Sequence, residues 1–155
     1  MKSCCIAGHP NIPPDKMGYV KERLREEIEA ALEDGFHHFI SNFEDGAGLL
    51  GAEIIVDMIE AGHKLELEAA LYTKSRVDTL MATPTTAKLL TCSQYIGVHA
   101  ADGLDDTLKC NRFIANNAQR IIAVYAPQEN ARKDCLVQLM RFTHILEVEE
   151  RIITI

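Results

Sequence analysis

Apolar residues recur along this chain at two spacings, and the switching between them predicts its architecture. Ser3 to Ala7 is a short apolar run, long enough for one buried strand and closed by Gly8-His9-Pro10. Asn11-Ile12-Pro13-Pro14 is excluded from regular helix, because two prolines restrict the backbone and remove donors. Asp15 then reads as an N-cap. Val20, Leu24, Ile28 and Leu32 repeat every four residues with charged residues on other faces, a helix stopped by Asp34-Gly35. The run opening at Phe36 predicts a second strand. It enters a turn containing Gly46, Ala47, Gly48 and Gly51, and a helical pattern through Ala52, Ile55, Val56 and Ile59 ends near Ala61. Lys64 to Tyr72 alternates strictly, with Glu66 and Glu68 on one side, which predicts a strand with a wet face at a sheet edge.

The second half repeats the rhythm. Ser75 to Leu90 is helical with a break near Pro84, Tyr95 to His99 is a strand, residues 101–106 form a loop, and Thr107 to Asn117 is a helix. Arg120 to Tyr125 is a buried strand, and a helix runs from Asn130 to about Phe142. His144 to Glu150 fits either helix or strand, and Arg151 to Ile155 reads as a last β-segment. Strands alternating with helices predict an α/β fold: one doubly wound, mostly parallel sheet with helices on both faces. Ligands of such sheets sit beyond the carboxyl ends of the strands. The segments expected there are Gly8-His9-Pro10, Asn42 to Gly48, Tyr72-Thr73, His99-Ala100 and Ala126-Pro127-Gln128.

Composition narrows the reading. The 155 residues make one domain, 1–155, with 47% hydrophobic and 25% charged residues, the balance of a globular chain. A formal charge of −7 argues against extended nucleic-acid binding, which needs clustered Lys and Arg. No apolar run is long enough to span a membrane, and the N-terminus lacks a signal-type apolar stretch, so a cytoplasmic location is expected. Five cysteines without a CxxC pair read as reduced core thiols, and the histidines lack partners at metal-ligand spacing, so no metal is expected. A homodimer is the general expectation for soluble chains.

The turn from Gly46 to Gly51 either offers bare amides to an anion at a helix N-terminus or is simply tight packing between strand and helix. Gly8 and His9 would face the same crevice. Arg112 could grip a phosphate or carboxylate in bidentate fashion, or pair with Asp102, Asp105 or Asp106, with Asn111 as a neighbouring polar reader. Glu53, placed in the first turn of the second helix, either complements the helix dipole or acts on a ligand.

These residues together resemble a family. CCIAGHP at Cys4–Pro10 is similar to the first-strand TGHRP pattern of YpsA-like proteins, members of the SLOG superfamily that also contains DprA and the LOG cytokinin-activating enzymes. HFISNFEDGAGLLGAE resembles that family's strand and GxAxGxDxxAAE turn, matching at Gly46, Gly51, Ala52 and Glu53. LEAALY resembles its third strand. CSQYIGV with KCNRFIANNAQRIIAVY resembles its CDYV … RNRYMVDxSDxxIAV segment, matching at Asn111, Arg112, Asn116 and Ala123. The first motif lacks the family's arginine, a leucine replaces its turn aspartate, and PQENARK stands where a Gly-Gly-Thr loop is usual.

The resemblance implies a Rossmann-like fold that binds a nucleotide, a nucleotide derivative or another small anionic ligand through Gly8, His9, Gly46, Ala47, Gly48, Gly51, Asn111 and Arg112, as a sensor or binding module. It also implies an alternative, hydrolysis of a nucleoside monophosphate at its N-glycosidic bond with Glu53 as the acid, although the PGGxGTxxE motif of LOG enzymes is absent. A scaffold that has lost its ligand is the third reading.

Overall fold

Alternating side chains on the first strand set the layering. In the computed structural model, which describes residues 2–99, 107–127, 129 and 134–155, β1 (Ser3–Gly8) sends Cys4 and Ile6 into one core and Cys5 and Ala7 into another. A strand buried on both faces must do so. It lies centrally in a sheet that also contains β2 (His38–Ser41), β3 (Glu66–Leu71), β4 (Tyr95–Val98), β5 (Arg120–Tyr125) and β6 (Glu149–Thr154). The order is β4-β3-β2-β1-β5-β6, and every pair is parallel.

Helices α1 (Met17–Glu33), α2 (Ala47–Glu60), α3 (Lys74–Met81) and α4 (Pro84–Thr91) supply Val20, Leu24, Ile55, Leu80 and Leu90 to the first core. Helices α5 (Thr107–Asn117) and α6 (Cys135–Ile145) supply Cys110, Ile114, Leu136 and Leu139 to the second. Each fully buried Leu or Ile is worth about 1.5–3 kcal/mol relative to exposure, so both layers hold the sheet strongly. The chain winds outward from β1 to β4, then crosses over to β5 on the other side. The switch point therefore falls between the ends of β1 and β5.

Helix ends follow local chemistry. Gly35 (φ +91°) donates to Leu32 O and Phe36 to Ala31 O, a Schellman closure of α1 that buries Phe36 in the core. Helix α6 closes the same way, with Glu147 donating to His144 O and Val148 to Thr143 O, but its left-handed residue is Glu147 (φ +57°). The ambiguous tail thus resolves into helix to Ile145, a closing turn, and strand from Glu149.

Other expectations are corrected. Asp15 caps no helix: it lies in a 3-10 turn, and α1 starts at Met17 with Lys16 as its N-cap residue. The Glu66–Leu71 strand is interior, paired with β2 and β4, because Glu66 and Glu68 face His38 of the neighbouring strand at 3.3 and 2.8 Å and so need no open edge. Helix α6 begins at Cys135, where the Asp134 side chain accepts from the Leu136 N–H. The expected loop 101–106, Ala100, Gln128 and the helix start near Asn130 lie outside the described residues. No helix among the described residues is long and apolar enough to cross a membrane.

Candidate functional site

The loops after β1 and β2 meet α2 at the carboxyl side of the sheet, and the glycines are what let them meet. A Cβ on Gly46, which sits at φ +82°, would lie 2.2 Å from His9 O and 2.6 Å from Pro10 O. Only glycine takes that conformation at no steric cost. A Cβ on Gly8 would lie 2.5 Å from the Ala47 Cβ, one on Gly48 2.3 Å from Asn42 Oδ1, and one on Gly51 2.7 Å from the Ile6 side chain. The space at each glycine is filled by the chain itself. Two of the turn's donors are spent on the chain as well, since Ala47 N–H points at His9 O (3.4 Å) and Leu49 N–H at Glu44 O (3.0 Å). The structure brings Gly8, His9, Gly46, Ala47, Gly48 and Gly51 together, in the geometry of close packing.

His9 is buried, with its backbone N–H donating to Val124 O across the switch point and its Nε2 2.9 Å from Glu129 Oε2. Next to it, a polar chain ties the ends of β2 and β3 to α5 and α6. Asn42 Nδ2 donates to Tyr72 Oη (3.2 Å), Tyr72 Oη donates to Asn111 Oδ1 (2.9 Å), and Asn111 Nδ2 donates to Cys135 O (3.0 Å) and Gln138 Oε1 (2.8 Å). Asn111 is fully buried with its amide engaged on both sides, so its geometry is that of a tie between α5, α6 and β3. Burial raises the Tyr72 phenol above its ordinary range and pushes the Cys110 thiol up to about 12; Cys135 is raised for the same reason. These thiols stay protonated and are not nucleophiles.

The guanidinium at this end of the sheet is Arg76. Thr73 caps α3 by accepting from the Arg76 N–H, which places that side chain over the loop ending β2. Arg76 Nη2 donates to Phe43 O (2.7 Å) and lies 2.9 Å from Asp45 Oδ1, and its Nε lies 3.3 Å from Glu44 Oε2. Phe43, buried, holds φ +54°, a left-handed conformation uncommon for a bulky residue. Glu44 is half-buried beside it. Burial raises its carboxyl above the ordinary range, Arg76 opposes the rise, and Asp45 adds to it. The Glu44 charge in turn adds to the rises of Tyr72, Cys110 and Cys135.

Two expected site residues lie elsewhere. Arg112 is exposed on α5, its guanidinium carbon 5.9 Å from the Phe142 ring centroid, in a groove with Ala115, Asn116, Ile145 and Leu146. Its proposed partners Asp102, Asp105 and Asp106 lie outside the described residues. Glu53 is not in a first turn, because α2 starts at Ala47. It is exposed and lines a slot of about 400 Å³ with Pro10, Asn11, Met17 and Gly46, on the outer side of the closed turn. Sequence reasoning passed over Arg76 and Glu44. The signal for Arg76 was its place one turn beyond Tyr72-Thr73, already expected at the crevice. Glu44 lies within Asn42 to Gly48, a segment also expected there, but nothing in its local sequence marks it out.

No protein-family model matches this chain, and no curated protein matches its sequence. Solved structures do match. DNA processing protein A from Helicobacter pylori, described for its single-stranded DNA binding mode, superposes with a TM-score of 0.65 at 13% identity over 97% of this chain and 64% of its own. The structural-genomics protein TM1055 gives 0.58 at 14% identity over 97% and 72%. DNA processing protein A from Streptococcus pneumoniae gives 0.52 at 10% identity over 98% and 58%. The fold these structures share with this chain is Rossmann-like, an all-parallel sheet between layers of helices. Identities this low establish architecture alone. The chain also spans less than two thirds of either DprA protein, so the likeness brings no activity with it.

Proposed function

We propose that this protein is a YpsA-like binding module whose ligand is a nucleotide derivative, held by its ribose and not by a chain of phosphates. One observation carries the reading: the loop ending β2 is braced by Arg76, holds Phe43 in a left-handed conformation, and carries the half-buried Glu44 paired with that arginine. Backbone strain of this kind costs about 1–3 kcal/mol and clusters at ligand sites. In doubly wound folds a carboxylate in this region of the crevice accepts ribose hydroxyls. Glu44 has that chemistry, and Asn42, Tyr72 and Asn111 form a rigid wall beside it. Polyphosphate is disfavoured, because the glycine turn is filled by His9, Pro10, Asn42 and Ile6 while Glu44 and Asp45 add negative charge. A net charge of −7 weighs against the extended single-strand binding described for the H. pylori neighbour.

A thermal-shift panel of nucleosides, nucleoside monophosphates and triphosphates tests this. The expected result is a rise in Tm with a nucleoside or monophosphate that disappears in Glu44→Gln and Arg76→Ala but survives in Arg112→Ala. Release of free base from a monophosphate, abolished by Glu53→Gln, would replace this reading with the hydrolase. An unresponsive panel would leave the scaffold.

A further inference from the structure

A different surface points to a macromolecular partner. Neither α5 nor α6 contains an Asp or Glu; their basic side chains are Lys109, Arg112, Arg141 and His144, on a chain whose net charge is −7. Among the described residues, Arg23, Arg25, Arg76, Arg120 and Arg151 each pair with a carboxylate. Arg112 and Arg141 pair with none, and both are exposed.

Between these two arginines the surface is apolar. Ile145 is 73% exposed and Leu146 49%. Ile145 stands between two grooves. One, of about 400 Å³, is lined by Tyr125, Val137, Met140 and Arg141, with His144 and Glu150 at its rim; the other, of about 190 Å³, lies between Arg112 and Phe142. The only carboxylate facing either groove among the described residues, Glu150, lies 3.6 Å from His144.

We propose that the α5–α6 surface docks an acidic amphipathic helix from a partner protein. Its apolar stripe would straddle Ile145, filling the two grooves, and its flanking carboxylates would meet Arg112 and Arg141. A helix laid in a groove matches the paired depressions on either side of α6. Charge complementarity selects an acidic partner, since neither arginine is paired with a carboxylate among the described residues. A nucleic acid is less suited to a surface this apolar with so few cations.

The experiment is an NMR titration of the full chain with a synthetic helical peptide carrying leucines at i, i+3, i+4 and i+7 and glutamates elsewhere. A second peptide carries lysine at every glutamate position. The glutamate peptide is expected to move amide signals from Arg112 to Asn116 and from Val137 to Leu146, and the lysine peptide to leave them in place. The double variant Arg112→Glu, Arg141→Glu should weaken binding about tenfold or more. Ile145→Ser should weaken it through the apolar stripe. All these side chains are exposed, and an unchanged circular dichroism spectrum confirms folding. No movement with either peptide, or equal movement with both, overturns the proposal. So does movement of these signals with oligothymidylate or phosphatidylserine vesicles at lower concentration, or on dilution of the protein alone, which would assign the surface to a nucleic acid, a membrane or a second copy.

Discussion

On one face of the sheet, α1 and α2 carry Glu22, Glu26, Glu27, Glu29, Asp57 and further acids, and their arginines are spent locally, Arg23 on Glu27 at 2.8 Å and Arg25 on Glu29 at 3.0 Å. On the other face, α5 and α6 carry no carboxylate and leave Arg112 and Arg141 unpaired among the described residues, beside exposed Ile145. The acidic layer also contains the glycine turn, where each close approach is filled by the chain's own atoms. The contrast teaches that glycine spacing marks where two pieces of backbone touch. Whether a ligand fits there depends on what already occupies the gap. An arginine likewise is available to a ligand only where no carboxylate has claimed it; Arg76 is instead spent on Phe43 O, Glu44 and Asp45.

The largest expected effect tests the closed turn. Gly46→Val places a β-branched residue at φ +82° against His9 O, and a loss of about 3 kcal/mol or more in urea unfolding is expected. A wild-type midpoint would mean the turn has room and could still cradle an anion. Next is Asn111→Leu, which strips the Tyr72 hydroxyl, Gln138 and the Cys135 carbonyl of a buried partner. About 1–3 kcal/mol should be lost; a loss below that range would show the two layers to be joined by apolar packing alone. Glu147→Gly relieves the left-handed residue closing α6 and should stabilise by roughly 0.5–1 kcal/mol.

Glu44→Gln should produce a smaller gain, and only over part of the pH range. Because burial raises the Glu44 carboxyl, the folded chain holds that proton more tightly than the unfolded chain. Its contribution to stability therefore falls as pH rises from the ordinary carboxylate range through the raised value. The variant should match wild type in Tm below that range and exceed it above; a uniform offset would mean that titration is not the cause. Arg112→Ala should change stability by no more than about 0.5 kcal/mol, as for an exposed side chain without an ion pair.

Local periodicity carried most of the architecture into the sequence. The four-residue repeat of α1, the helix from Thr107 to Asn117 and the strand from Arg120 to Tyr125 are legible because each buries a face set by its own spacing. The Glu66–Leu71 strand was misplaced at an edge for the same reason: alternation records that one face is polar, and His38, far away in sequence, supplies the partner that lets this face lie inside the sheet. The crevice was legible as a place, through the strand ends. The braced loop was not, because Arg76 reaches Phe43 O across two loops, and no short window contains both. The direction Arg112 takes was not legible either, because helix phase, which turns it toward Phe142, cannot be fixed from a motif alone.

Calorimetric titration of a nucleoside and of the triphosphate of the same base, into wild type and Glu44→Gln, bears on the crevice most directly. The expectation is that wild type binds the nucleoside on the order of tenfold more tightly than the triphosphate, and that Glu44→Gln loses this preference together with most of the affinity. Tighter binding of the triphosphate, unaffected by Glu44→Gln, would return the ligand to the glycine turn and contradict the account.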